Sequence, residues 1–324
     1  MTAIKKHISN FWEISKKTIV AWNKADPFRQ GAIISYYAIF SIPALLVIII
    51  TAAGYFFGKE AVSGEISNQV TAAMGADTAK QLEEIVANAS ESKNSVLAAI
   101  IGVITLLVGA TGVFVQLQKS LDLIWEVEVK AEKAWLKSLK DRVFSFGLIM
   151  SIGFLLLISL LISAGLSAFS EWIKASMPDF MMVVFRLISF VVNFAVITVL
   201  FALMFRILPD AKVRWKDVWL GAMITALLFI AGKFALGLYF GKANPGSAYG
   251  AAGSIVLLML WVNYSSMIVF LGAEYTKQFA LHFGRDIEPA KDAVRIEGSE
   301  KEREVKNKQK ATNRVIGKRN WSGA

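Results

Sequence analysis

Apolar and polar stretches alternate along this chain in blocks far longer than the turn of a surface helix. Six apolar runs stand out, at 32–57, 96–117, 143–166, 183–208, 218–240 and 251–273. Each has at least the roughly 20 residues that carry a helix across a hydrocarbon layer of about 30 Å. In lipid only a helix or a closed barrel satisfies every backbone polar group, and these runs lack strand-like alternation. The pattern predicts an all-α, polytopic membrane helix bundle with six transmembrane helices. The first run starts too late and runs too long for a cleaved signal peptide. Asp26-Pro27 ahead of it reads as a helix start, because Asp can accept from free N–H groups and Pro tolerates the first helical position. Pro43, inside the run, removes a backbone donor and predicts a kink.

The polar segments supply the orientation. Lys5, Lys6, Lys16, Lys17, Lys24 and Arg29 precede the first run. The second connection holds Lys119, Lys130, Lys133, Lys137, Lys140 and Arg142, and the fourth Arg206, Lys212, Arg214 and Lys216. The C-terminal segment is basic from Lys277 to Arg319. The connections between these are poor in Lys and Arg, with Lys174 alone in the third and Lys242 alone in the fifth. This alternation predicts that both termini and the even connections are cytoplasmic. The net charge of +10 is then largely topological.

Three polar regions carry a pattern of their own. Residues 1–31 read as a cytoplasmic amphipathic helix, with Ile4, Ile8, Phe11, Trp12, Ile19 and Trp22 between lysines, lying on the membrane surface. The second connection repeats the theme with Leu121, Ile124, Trp125, Trp135, Leu136 and Leu139. The external loop 58–94 reads as two short helices, one bearing Val62, Ile66, Val70 and Met74, the other Leu82, Ile85, Val86 and Ala89. They are expected to pack on the outer mouth of the bundle, with a lid over a cavity as the sharper reading. The transmembrane domain is thus 32–283, and 284–324 reads as a basic cytoplasmic tail without regular structure.

Composition narrows the chemistry. Hydrophobic residues make up 55% of the 324 positions, Cys is absent, and His7 and His282 are the two histidines. Thiol chemistry is excluded, and no His/Asp cluster suggests a metal site. No nucleotide-binding glycine loop and no nucleophile–base pair stand out, so neither a cofactor nor a catalytic residue is expected. The tail lacks an aromatic recognition module, so nucleic acid is not an expected partner. The expected partner is the bilayer, with anionic lipid as a candidate.

Ionisable and amide groups within the apolar runs are the candidate functional residues, since each costs free energy unless paired or wetted. Arg186 lies near the outer end of the fourth run, Lys233 about 10 Å below the outer end of the fifth, and Glu274 at the inner end of the sixth. Asn193 and Asn263 lie near mid-bilayer on the fourth and sixth. The plain reading is snorkelling for Arg186 and Glu274 and interhelical hydrogen bonds for the amides. The sharper one is a pathway with a basic outer layer, suited to an anionic head group or solute.

Several stretches carry a family resemblance. They are Ser35-Tyr36-Tyr37-Ala38-Ile39-Phe40-Ser41-Ile42-Pro43, Gly112-Val113-Phe114-Val115-Gln116-Leu117-Gln118 with Ile124-Trp125, and Tyr249-Gly250-Ala251-Ala252-Gly253-Ser254 followed by Leu260-Trp261-Val262-Asn263-Tyr264 and Gly272-Ala273-Glu274. Leu208-Pro209-Asp210 and Gly232-Lys233 precede the last set. Together, over about residues 20–283, the chain resembles the YihY/BrkB family of bacterial inner-membrane proteins, formerly labelled ribonuclease BN. The resemblance implies a six-helix protein of the bacterial inner membrane and draws attention to Lys233 and Glu274. The residues give the ribonuclease label no support.

The leading expectation is a transporter or flippase-like protein for an anionic amphiphile or lipid. The alternatives are a non-transporting membrane scaffold or envelope-maintenance protein and, third, an intramembrane enzyme. Because the chain lacks cysteine, topology is open to single-cysteine labelling. Ser92→Cys should react with an impermeant maleimide in intact spheroplasts, whereas Ser299→Cys should react only after permeabilisation. Labelling of both from outside would overturn the orientation.

Overall fold

The computed structural model describes residues 2–74, 76–91, 112–130, 179–243 and 252–296. Helices dominate them. α1 spans Thr2–Lys24, α2 Pro27–Phe57, α3 Lys59–Met74 and α4 Ala76–Glu91. The described part of α5 covers 112–124. α6 spans Asp179–Ile207, α7 Trp215–Ala243 and α8 Gly253–His282. Four short strands complete the set: β1 Val127–Val129, β2 Ala211–Lys212, β3 Glu288–Pro289 and β4 Ala293–Arg295.

Three helices among the described residues are long and apolar enough to cross a membrane: Leu187–Ile207, Trp215–Phe240 and Gly253–His282. Their outward faces carry exposed Leu187, Ile188, Val191, Leu227, Phe234 and Leu260, a surface that suits lipid and not water. On α7, exposed Trp219 and Tyr239 lie twenty residues apart, about 30 Å of helix. Amphipathic rings at that separation match the two interfacial levels of a bilayer. Of the remaining predicted runs, 32–57 falls within α2, only the end of 96–117 is described, and 143–166 lies outside the described residues. Pro43 sits within α2, which is helical throughout its length.

α8 is the hub, packing against α1, α2, α4 and α7. Its contact with α7 rests on small residues used reciprocally. A Cβ on Gly221 of α7 would overlap Thr276 Oγ1 of α8, and a Cβ on Gly272 of α8 would overlap Thr225 Oγ1 of α7. Each Thr sits four residues after the Gly of its own helix, so the two Gly-x-x-x-Thr faces interlock head to tail. Neither hydroxyl is stranded in the apolar contact. Thr225 Oγ1 donates to the Gly221 carbonyl at 2.7 Å and Thr276 Oγ1 to the Gly272 carbonyl at 2.9 Å. Further along the same seam, a Cβ on Gly232 would strike the Tyr264 hydroxyl. Without a hydrophobic drive between helices in lipid, such close approach supplies the association energy through dispersion.

The α2–α8 contact uses the same devices. Ser35 Oγ lies 2.9 Å from the Gly31 carbonyl and 3.0 Å from the Met259 carbonyl, and Gly31 leaves room for Asn263. Gly112 of α5 similarly admits Tyr37 of α2. The largest core cluster forms where α5, α6, α7 and α8 meet, around Leu121, Trp125, Phe205 and Phe270. Trp125 meets Phe205 edge to face at 6.4 Å.

Four expectations change. Trp125, Leu121 and Ile124 are buried and not interfacial, because α5 continues past the second apolar run and tucks its last turn into the core; Trp135, Leu136 and Leu139 lie outside the described residues. α1 uses Ile14 and Thr18 against the bundle, and Trp22 Nε1 donates to the Met267 carbonyl at 3.1 Å, while Phe11, Trp12, Ile19 and Val20 stay exposed. Asp26 sits in the left-handed region without a side-chain cap; its carboxylate turns to Arg29 at 3.0 Å. The segment after Gly284 does not begin a tail, since residues up to 296 fold back as β3 and β4, burying Ile287 and Ala293. Strands of two or three residues leave no periodic trace, which is why helical reading alone missed them. Residues 297–324 lie outside the described residues. The loop 58–94 does form the two helices expected of it, as far as Glu91.

The interlock is open to a direct test. Gly272→Ala should destabilise the protein by about 1–3 kcal/mol through overpacking against Thr225. Thr225→Gly in the same chain should recover much of that loss in detergent unfolding. Equal loss in the single and double variants would show that the contact does not limit stability.

Candidate functional site

The polar groups gather at the two ends of α8. At its C-terminal end, β1 pairs with β4 and β2 with β3, both antiparallel. The chain beyond α8 therefore ties together the segment after α5 and the α6–α7 connection. Gly284, at φ 69°, makes the reversal possible: its N–H donates to Leu281 and that of Arg285 to Ala280, closing α8 with a left-handed glycine. Arg285 reaches Asp217 of α7 at 3.1 Å and lies over the rings of Phe279 and Phe283.

Within this cap sits a buried charge cluster. Lys277 donates to Glu126 at 2.8 Å and lies 3.9 Å from Glu274. Glu274 is 2% exposed and accepts from Gln278 at 2.7 Å. Glu126 adopts φ 58°, uncommon for a residue with a Cβ, and its carbonyl accepts from Ile296 N–H at 3.1 Å. Beside it, Asp122 accepts from the Asp210 N–H at 2.7 Å, Gln118 Nε2 reaches the Asp210 carboxylate at 3.3 Å, and Ala290 N–H donates to the Asp210 carbonyl at 2.8 Å. A second polar knot joins α2 to α5, where Gln116 and Ser120 both donate to Gln30 Oε1 at 3.0 Å.

The opposite end carries α3 and α4. α3 packs on α2 and α7, and α4 on α2 and α8. Val70 of α3 seals a small cluster of Phe240, Leu257 and Leu258. Lys233 of α7 donates to Gln69 of α3 at 3.2 Å. On the other side of α3, a cavity of about 510 Å³ opens between α2, α3 and α4, with apolar Leu46, Ile50, Val70 and Leu82 in its lining and Lys59, Glu60 and Glu83 at its edge. That size lies within the roughly 300–1,000 Å³ of small-ligand sites.

The residues singled out in the sequence take separate positions. Lys233 joins α7 to α3. Asn263 Nδ2 reaches the Phe28 carbonyl in the first turn of α2 at 3.4 Å. Asn193 is exposed on α6. Glu274 belongs to the cap. Arg186 lies on α6, with its side chain outside the described positions. Sequence reading passed over Gln30, Ser120, Asp122, Glu126, Asp210, Asp217, Lys277 and Arg285, whose significance lies in their long-range pairing. A partial signal was present, since Gln116-Leu117-Gln118 and Leu208-Pro209-Asp210 belong to the stretches that carry the family resemblance.

The charge cluster makes a stability prediction. Lys277→Met leaves Glu274 and Glu126 without their shared cation and should cost about 3 kcal/mol. Adding Glu126→Gln should recover part of it, read from unfolding midpoints in detergent. Identical midpoints for Lys277→Met and wild type would show that the cluster is solvated and inert.

Comparison with known proteins assigns the chain to a family. Residues 18–297 match the family model described as Virulence factor BrkB. A UPF0761 membrane protein of Verminephrobacter eiseniae is 30% identical over 177 residues, covering 54% of this chain and 40% of the relative. One of Tolumonas auensis is 28% identical over 57% of this chain and 58% of its own length. The chain thus spans about half the length of these relatives. One of Pseudoalteromonas atlantica is 24% identical, with 77% of this chain and 80% of the relative aligned. No solved structure matches the chain. The match over most of the chain, relatives named as membrane proteins and helices of membrane-spanning length together make this protein a membrane protein of the BrkB family.

Proposed function

We propose that this protein is a transporter or flippase-like protein for an anionic amphiphile or lipid. It would reside in the bacterial inner membrane with six spans and both termini cytoplasmic. The observation that carries the reading is the asymmetry of the two ends of α8. One end is tied shut by paired strands and a buried charge cluster. The other holds an open cavity with an apolar floor and charged edge beneath two amphipathic helices. An amphiphile needs that combination, a place for a chain beside a place for a charge. In this reading α3 and α4 act as a lid, and the Lys233–Gln69 bond fastens α3 to α7. Arg186, Asn193, Asn263 and Glu274 are the further pathway candidates, distributed between the two ends.

A scaffold role has one observation in its favour. Phe11, Trp12, Ile19 and Val20 form an exposed apolar side on α1, which suits a membrane surface or a partner helix.

Reconstituted protein should accelerate loss of a head-group-labelled phosphatidylglycerol from the inner leaflet of liposomes, measured by quenching from outside. Lys233→Ala should slow this several-fold while leaving insertion intact. Folded protein that moves none of several labelled lipids would defeat the transport reading.

A further inference from the structure

The cavity between α2, α3 and α4 has a lining more specific than an apolar cleft requires. Its apolar lining includes Ala79 and Leu82, both buried, and Leu46 and Ile50 of α2. Its rim carries exposed Lys59, Glu60 and Glu83. The gradient from buried hydrocarbon to exposed charge fits one acyl chain entering first and a head group remaining at the mouth. The rim also has a sign. Two carboxylates face one ammonium, so a head group bearing only negative charge meets net repulsion there. A head group with a phosphate and an ammonium meets Lys59 with the first and Glu60 and Glu83 with the second.

We propose that this cavity binds one chain of a zwitterionic, amine-bearing phospholipid or lysophospholipid, held by Lys59, Glu60 and Glu83 at its mouth. The assignment rests on the amphiphile part of the reading above and differs from it in charge: an amine accompanies the phosphate, so the head group bound at this cavity is net neutral. Gly64 offers a means of closing the site without disturbing the fold. It lines the cavity, and a Cβ built on it meets nothing within 4 Å. It also lies inside α3, where glycine is a poor helix former.

The test is equilibrium binding to the purified full chain in detergent. The probes are lysophosphatidylethanolamine and lysophosphatidylglycerol of the same acyl chain, each competing against a fluorescent lysophosphatidylethanolamine. The ethanolamine lipid should bind more tightly by roughly fivefold, the scale of two exposed ion pairs. Glu60→Gln with Glu83→Gln should erase that preference without loss of lysophosphatidylglycerol binding. Gly64→Phe should weaken both lipids by roughly tenfold, with an unfolding midpoint no lower than wild type. Equal affinities, a preference for the glycerol head group, or unchanged binding in a folded Gly64→Phe protein would overturn the assignment. Selective binding without lipid movement in liposomes would keep this site and remove the transport reading. Lipid movement without selectivity would do the reverse.

Discussion

The reciprocal Gly-x-x-x-Thr contact between α7 and α8 is the constraint on which the described structure depends. Gly221 receives Thr276 and Gly272 receives Thr225, so the two backbones approach where any side chain would hold them apart. In water, burial of leucine would bring such helices together. In hydrocarbon that drive is absent, because lipid chains are as apolar as the side chains they would replace. Close packing of backbone on backbone remains. The threonine hydroxyls add no penalty, since each is satisfied by the carbonyl one turn back in its own helix. Gly272 also lies within 3.2 Å of Phe205 when given a Cβ, so the same point fixes α6 against the pair.

From that seam α8 extends in both directions, and its two ends are finished differently. Its C-terminal end is polar and closed. Lys277, placed between Glu126 and Glu274, makes the position of the segment after α5 a matter of charge as well as packing. The strands that follow α8 then clasp two other connections. Towards its N-terminal end an apolar cluster of Phe240, Leu257 and Leu258 packs against Val70 of α3, and α4 also packs on α8. Among the described residues, the two ends of α8 therefore differ: strands and a charge cluster finish one, and helices α3 and α4 finish the other.

Much of this could be read along the chain, for a definite reason. Lipid imposes length on every span and charge bias on every connection, and both leave local marks. The fourth and fifth runs agree with α6 and α7 within a few residues, and the two amphipathic helices of the first loop fall where the apolar spacing put them. The errors share a different cause. Trp125 looked interfacial because an aromatic beside charges usually is, yet it is 1% exposed through contacts with distant helices. The segment after Gly284 looked unstructured because charges of both signs surround its few apolar residues, yet its strands are held by partners at 127–129 and 211–212. Asn263 was open to two readings, an interhelical hydrogen bond or a pathway shared with Lys233; it bonds to α2, while Lys233 bonds to α3.

By itself the sequence determined the solvent of this protein, its helical class, the long apolar helices among the described residues and the family it resembles. These follow from hydrophobic length, charge and short motifs, all properties of neighbouring residues. Tertiary structure alone decided which glycine faces which threonine, that Lys277 serves two carboxylates, and that the rim of the α2–α3–α4 cavity carries charges of both signs. Those depend on helix rotation and crossing, which bring together residues as far apart as Glu126 and Lys277. The periodicity of one helix says which residues share its face. It does not say which face of another helix will meet it.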